Sequence, residues 1–74
     1  MIILTNRQRY LLTEGLKKGY LSLNDFDSVY AMPQSKKATM SRFISAGLMN
    51  EDPQKAGRFI LDDKKVREVL DEFK

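Results

Sequence analysis

The sequence predicts a mostly helical domain that carries one small β-hairpin. Apolar residues recur at helical spacing in four separate segments, and glycine or proline follows three of them. Between residues 48 and 61 the helical period gives way to two short β-favouring runs around a polar, glycine-containing break. With 74 residues, the chain is predicted to form a single domain, residues 1–74, with a modest core. The predicted order is helix, short strand, helix, turn, helix, hairpin and helix.

The first helix is predicted over residues 5–18. Thr5 and Gln8 have the spacing of a capping box, in which each side chain accepts a hydrogen bond from the other residue's backbone amide. Gly19 is a natural helix end, because glycine adopts the left-handed conformation at low cost. The apolar stripe that should face the core consists of Leu11, Leu12 and Leu16, with Gly15 beside it to let another element pack closely.

A short strand-like pairing is predicted for residues 20–22, and a second, short helix follows it. Ser22 is the predicted cap of this helix, with Asp25 as its capping-box partner. Pro33 is expected to end it, because the residue before a proline is kept out of helical geometry. The predicted buried face consists of Phe26, Val29 and Tyr30.

The third helix is predicted to begin at Gln34 or Ser35 and to close at Gly47 in the left-handed conformation. Its predicted apolar edge consists of Met40, Phe43 and Ile44, at the spacing of one helical face.

A hairpin and a last helix complete the prediction. The hairpin arms are expected at residues 48–52 and 58–61, with a break at 53–57. Asp62 or Asp63 caps the last helix, whose apolar stripe consists of Val66, Val69, Leu70 and Phe73.

The composition excludes several classes of function. The chain has no cysteine and no histidine, so disulfides, thiolate metal sites and the commonest general base are missing. Its carboxylates do not converge, since Asp25 and Asp27 lie on different sides of a helix, and no glycine-rich phosphate loop occurs. We therefore expect no catalysis, metal, cofactor or small-molecule ligand. The apolar opening at residues 1–4 is too short for a membrane span, and we expect a cytoplasmic protein, nucleoid-associated or in a host cytoplasm.

Positive charge is concentrated in the first two thirds of the chain. Residues 1–47 carry seven Lys/Arg and three Asp/Glu, and residues 48–74 carry six and seven, which gives +4 and −1 and agrees with the overall +3. This grouping is more informative about partners than the net charge is. The stretch 30–50 contains no acid and holds three cations, which are Lys36, Lys37 and Arg42.

Two motifs, together with the order of elements, resemble a known family. The opening Leu4-Thr5-x-x-Gln8 is similar to the start of MarR-type regulators. The run Ser41-Arg42-Phe43-Ile44-Ser45-Ala46-Gly47-Leu48 leads into a charged hairpin with Gly57-Arg58. From Leu4 to about Leu70 the chain resembles winged helix-turn-helix DNA-binding domains, including small viral, plasmid and archaeal regulators. The resemblance implies that the third helix enters the DNA major groove and that the hairpin, or wing, contacts the flanking backbone or minor groove.

The side of the third helix opposite Met40 is predicted to be exposed. Apart from Gln34 and Arg42, the residues on this side are small, so the helix can lie deep in a groove about 12 Å wide. Arg42 is the predicted main base reader, with two hydrogen bonds to guanine, and Gln34 is expected to pair with adenine or a phosphate.

Other residues are predicted to support this contact. Lys36 and Lys37 lie nearer the core edge in the first turn, where phosphate contact is expected. Lys55 and Arg58 flank the wing tip and are predicted to contact the DNA backbone. The complete predicted DNA-binding set is Gln34, Ser35, Lys36, Lys37, Ala38, Thr39, Ser41, Arg42, Ser45, Lys55 and Arg58.

The resulting hypothesis is a small transcriptional regulator, such as a repressor, that binds double-stranded DNA sequence-specifically. The alternative is a winged-helix module that binds host or cellular machinery without specific DNA recognition. A nonspecific architectural DNA binder is a third class, which the net charge of +3 disfavours. Tyr10 is predicted to be exposed on the first helix, where it is either a homodimer contact or an ordinary surface aromatic.

Overall fold

Four helices and three short strands make up residues 3–72, the part of the chain that the computed structural model describes. The order of elements agrees with the sequence prediction, although the predictions for Met1, Ile2 and Phe73 lie outside these residues. Within residues 3–72, no helix combines the length and apolar character needed to cross a membrane. The elements are α1 (Asn6–Lys18), β1 (Tyr20–Ser22), α2 (Leu23–Val29), α3 (Pro33–Ser45), β2 (Met49–Glu51), β3 (Arg58–Leu61) and α4 (Asp63–Asp71).

The start of α1 has the predicted capping box. The Thr5 hydroxyl accepts from the Gln8 amide at 3.2 Å, and Gln8 Oε1 accepts from the Thr5 amide at 3.1 Å. Two backbone amides that a helix start leaves without partners are thereby satisfied. The helix ends as predicted at Gly19, whose φ of 89° is in the left-handed region.

The caps of α2 and α4 are also confirmed. Ser22 and Asp25 form a second capping box, with the Ser22 amide donating to Asp25 Oδ2 at 2.8 Å. Of the two aspartates predicted to cap the last helix, Asp62 does so, and its carboxylate accepts from the Lys65 amide at 3.2 Å.

The connection between α2 and α3 lies earlier in the chain than the sequence predicted. Helix α2 ends at Val29, and α3 begins at Pro33 rather than at Gln34 or Ser35. Proline is well suited to the first position of a helix, because its missing amide would have no partner there and its φ is already helical. Pro33 therefore starts α3, while Met32 before it has the extended geometry that a following proline favours.

The three strands form an antiparallel sheet in the order β1-β3-β2. Strand β3 is central, and Phe59 lies opposite Leu21 on one side and Glu51 on the other. Since β1 lies between α1 and α2 in the chain, the sheet joins the first two helices to the hairpin.

Three phenylalanines form the centre of the core. The Phe26 ring lies 6.2 Å from the Phe43 ring and 6.2 Å from the Phe59 ring, measured between centroids, so it connects α2 with α3 and with β3. The other core residues are Leu4, Leu11, Leu12, Leu21, Leu48, Met49, Leu61 and Val66, with Leu16, Val29, Tyr30, Met40, Val69 and Leu70 partly buried against them.

The buried face of α3 differs from the predicted one. Phe43 is fully buried as expected, but Thr39 is buried beside it, Met40 is only partly buried and Ile44 is 42% exposed. The prediction for Ile44 was therefore wrong. The packing of Phe43 against Phe26 turns the helix so that Thr39, one turn earlier, faces inward and Ile44 faces outward.

The end of α3 has the predicted left-handed glycine. Gly47 has a φ of 76°, and its amide donates to the Ile44 carbonyl at 3.0 Å. The Leu48 amide donates to the Phe43 carbonyl at 2.9 Å. These two bonds form a Schellman motif, which satisfies carbonyls at the helix end and directs the chain into β2.

Gly15 is the residue of α1 at which the sheet approaches most closely. A Cβ at this position would lie 2.8 Å from a Leu61 methyl and 2.9 Å from Leu21 Cγ. We expect Gly15→Val to lower the free energy of unfolding by about 2 kcal/mol or more, because it overpacks this contact. Urea denaturation followed by circular dichroism measures the change. The matched control is Arg7→Val on the exposed side of α1, and an equal loss in both variants would contradict the prediction.

Candidate nucleic-acid interface

Helix α3 exposes a continuous arc of its surface on the side away from Thr39 and Phe43. The side chains in the middle of this arc are short apart from Gln34. Ile44 lies at one edge of the arc and Arg42 at the other. We call this surface the α3 arc, and its members are Gln34, Lys37, Ala38, Ser41, Arg42, Ile44 and Ser45, all exposed.

Lys37 faces further away from the core than the sequence suggested. The predicted buried edge at Met40 and Ile44 placed it near the core, but the observed edge at Thr39 and Phe43 turns it outward. Its side chain makes no hydrogen bond or ion pair with any residue between 3 and 72. Lys37 is therefore available to contact an external anion.

Lys36 has a different environment, although it is the neighbour of Lys37 in the chain. Its Nζ lies 2.6 Å from Asp27 Oδ1 of α2, and its side chain is only 26% exposed. Its positive charge is thus already balanced by a carboxylate. The structure separates the two lysines, which the sequence analysis had grouped together.

Arg42, the predicted main base reader, is exposed on the side of the arc that faces the start of the chain. Its guanidinium donates a hydrogen bond to the Ile3 carbonyl. Because that partner is a neutral carbonyl, the contact leaves the positive charge of Arg42 uncompensated. The arginine can therefore still attract an anion, provided that the guanidinium turns away from Ile3.

The first turn of α1 lies beside α3, and the sequence analysis did not identify it as part of the site. A groove of about 500 Å³ separates the two elements, and the exposed Arg7 lies on its wall. The charge of Arg7 was visible in the sequence, but its closeness to α3 depends on tertiary packing. The lining of the groove consists of Thr5, Asn6, Arg7, Gln8, Tyr30, Ser35, Ala38 and Thr39.

The hairpin loop, residues 52–57, is organised by the buried carboxylate of Asp52. One oxygen accepts from the Gln54 amide at 2.8 Å, and the other accepts from Arg58 Nε at 2.9 Å. The Arg58 guanidinium also lies over the Tyr20 ring, 5.1 Å from its centroid. Arg58 thus holds the base of the loop. Lys55 is exposed, and its side-chain ammonium makes no hydrogen bond or ion pair with residues 3–72.

Hydrogen bonds lower the pKa of Asp52 below its usual value of 3.8. The largest cause is the bond from the Gln54 amide, and the bond from Arg58 is the next. Both bonds stabilise the charged form, and together with the charge of Arg58 they outweigh the effect of burial.

The carboxylates of α2 do not repel an approaching anion as strongly as their number suggests. Asp27 is paired with Lys36, and Asp25 accepts from Lys18 Nζ at 2.6 Å. Burial alone would raise the pKa of Asp25, but the hydrogen bonds from Lys18 and Ser22 lower it below 3.8. Both acids are thus balanced locally, and the surface beside α3 keeps the positive charges of Lys37 and Arg42.

Tyr10 is exposed, as predicted, on a different side of the protein. It is 57% exposed and lies on a groove of about 710 Å³ between α1 and α4. The apolar part of this groove consists of Tyr10, Leu16 and Leu70.

The chain matches no protein-family model, no curated protein and no solved structure. Residues 3–72 contain no cluster of three or more acidic side chains arranged to hold a metal ion.

The Asp52–Arg58 pair gives the hairpin loop a testable pH dependence. A carboxylate whose pKa is lowered by folding stabilises the folded state above its unfolded-state pKa, and this contribution is lost as the pH falls through the folded-state value. We therefore expect Asp52→Asn to be less stable than wild type at pH 7, with a difference that shrinks below pH 3.8.

Urea denaturation at pH 7 and at about pH 2.5 measures this difference. The matched control is Glu51→Gln, the exposed neighbour on β2, which removes the same charge. Equal urea midpoints for the two variants at pH 7 would show that Asp52 does not hold the loop.

Proposed function

We propose that the chain is a winged helix-turn-helix protein that binds double-stranded DNA and regulates transcription by occupying its site, as a repressor does. The observation that carries this proposal is the α3 arc. Its centre consists mainly of short side chains, and it presents two positive charges, on Lys37 and Arg42, that no carboxylate within residues 3–72 balances.

The order of elements supports the fold part of the proposal. Helices α2 and α3 are joined by the short segment 30–32, and α3 leads into an antiparallel hairpin. Four helices with a three-stranded antiparallel sheet are compatible with a winged helix. In such an arrangement α3 is the recognition helix and the hairpin loop is the tip of the wing.

The shape of the α3 arc fits a major groove. Ala38, Ser41 and Ser45 are short enough for the helix backbone to approach the bases closely. Gln34 can pair with adenine, and Arg42 can donate two hydrogen bonds to guanine. Lys37, on the same side of the arc as Ile44, can reach a phosphate or a guanine.

In this proposal several residues of the predicted DNA-binding set have supporting roles. Thr39 is buried, so it fixes the rotation of α3 rather than contacting DNA. Lys36 and Arg58 balance Asp27 and Asp52 and shape the protein beside the interface. In this proposal Ser35, on the groove toward α1, flanks the interface.

Lys37 and Arg42 give the first test of the proposal. We expect Lys37→Ala and Arg42→Ala each to weaken binding to a preferred duplex by about 1–3 kcal/mol, and Arg42→Ala also to relax sequence preference. The duplex is obtained by selection from a random pool with the wild-type protein, and the affinities are measured by fluorescence anisotropy.

The matched control is Lys17→Ala, which removes an exposed cation from the last turn of α1, outside the arc. This variant should keep the affinity within about twofold of wild type at 0.15 M salt, where exposed charges beyond about 8 Å are screened. Weak binding to all duplexes, indifferent to Lys37 and Arg42, would overturn the proposal and direct attention to protein partners.

Lys55 gives a separate test of the wing. If it neutralises one phosphate, Lys55→Ala should reduce the slope of log affinity against log salt concentration by about 0.9. Titrations between about 50 and 200 mM salt measure the slope, with Lys17→Ala as the control of equal charge. An unchanged slope for Lys55→Ala would remove the hairpin loop from the interface.

The groove beside Tyr10 favours a second candidate function, contact with a protein. An exposed tyrosine next to partly buried leucines is a common composition for such contacts. A second copy of the chain is one candidate for this surface, since paired helix-turn-helix domains read two half-sites one DNA turn apart. Sedimentation of wild type and Tyr10→Ala, with and without the selected duplex, distinguishes a homodimer from a monomer.

A further inference from the structure

We propose that Ile44 is a specificity-determining residue that contacts the C5-methyl group of a thymine in the major groove. This inference rests on the proposed DNA binding and names one chemical group of the DNA that the protein recognises. It starts from a disagreement between sequence and structure, because the spacing of Ile44 indicated burial and the side chain is 42% exposed.

Core packing turns Ile44 outward and leaves its side chain partly in water. The core contact of this turn of α3 is made by Phe43, which is fully buried against Phe26. An exposed aliphatic side chain at this position leaves apolar surface in water, which is unfavourable unless a ligand covers it.

The neighbours of Ile44 distinguish it from other exposed apolar residues. It lies one turn after Ser41 and two turns after Lys37, so the three residues form one row along the α3 arc. Ser41 and Ser45 are shorter than Ile44, so the isoleucine extends further from the helix than these two neighbours. Leu23, Met32 and Ile60 are also exposed, but they lie on α2, before the first turn of α3 and on the sheet.

The chemistry of the major groove narrows the group that Ile44 can recognise. Base edges in this groove present hydrogen-bond donors, acceptors and the thymine methyl group. Isoleucine has no hydrogen-bonding group in its side chain, so the methyl group is its matching partner. The positive charges of Lys37 and Arg42 then position the helix, while Ile44 adds a preference for thymine over cytosine.

Deoxyuridine tests this contact, because it keeps the Watson–Crick edge of thymine and lacks only the methyl group. In the duplex selected by the wild-type protein, each thymine is replaced in turn by deoxyuridine, and affinities are measured by fluorescence anisotropy. We expect one replacement to weaken wild-type binding about three- to tenfold. The same replacement should have no effect on Ile44→Ala, which is the coupling that a double-mutant cycle detects.

Ile60→Ala is the matched control, since it truncates a similarly exposed isoleucine on the sheet. It should retain the wild-type sensitivity to deoxyuridine. Urea denaturation of both variants checks that each is folded at the assay temperature.

The outcomes separate this inference from the proposed function. Specific binding that depends on Arg42 but shows no sensitivity to any deoxyuridine, or the same sensitivity in wild type and Ile44→Ala, would overturn the role of Ile44 alone. Failure to select any preferred duplex, with binding indifferent to Arg42, would overturn the proposed function and this inference together.

Discussion

The packing of Phe26 against Phe43 and Phe59 is the constraint on which the rest of the structure depends. It fixes α2, α3 and the central strand relative to one another, with ring centroids 6.2 Å apart in both pairs. Loss of one such ring costs about 3–5 kcal/mol, which is similar to the net stability expected of so small a core. The same contact determines which side of α3 faces solvent. The composition of the α3 arc is therefore a consequence of core packing, since the arc contains whatever lies opposite Phe43 and Thr39.

Electrostatic pairing then selects which charges remain available for a partner. Asp25, Asp27 and Asp52 each bind a cation from another part of the chain, so Lys18, Lys36 and Arg58 are used within the protein. The pairs of Asp25 and Asp27 are partly exposed, and such pairs contribute little to stability, with typical values of about 0–1 kcal/mol. Their larger effect here is on the surface field, because they balance both acids of α2, the helix that precedes α3. The charges of Lys37 and Arg42 then dominate the arc despite a net charge of only +3.

The parts of the fold governed by local chemistry could be predicted from the sequence. The capping boxes at Thr5 and Ser22 and the left-handed Gly47 depend on residues within a few positions of one another, and all were predicted. Pro33 was misread because a proline can either follow the end of one helix or occupy the first position of the next. The sequence does not show which of these two positions Pro33 has. The rotation of α3 could not be predicted, since Thr39 is polar and Ile44 apolar, yet a tertiary contact buries the first and exposes the second. For the same reason the sequence did not separate Lys36 from Lys37.

Two surfaces of the molecule are suited to partners of different kinds. Residues that dominate protein–protein binding are commonly tryptophan, tyrosine and arginine in fully desolvated pockets. The α3 arc has no aromatic residue, and its central side chains are short. A helix with a short-chained face and a few long polar side chains fits the major groove of DNA. Tyr10 and the α1–α4 groove have the composition that suits a protein partner, and they lie on other elements. In the proposed function, DNA contacts α3 and a second chain contacts the α1–α4 groove, so the two proposed contacts use different helices.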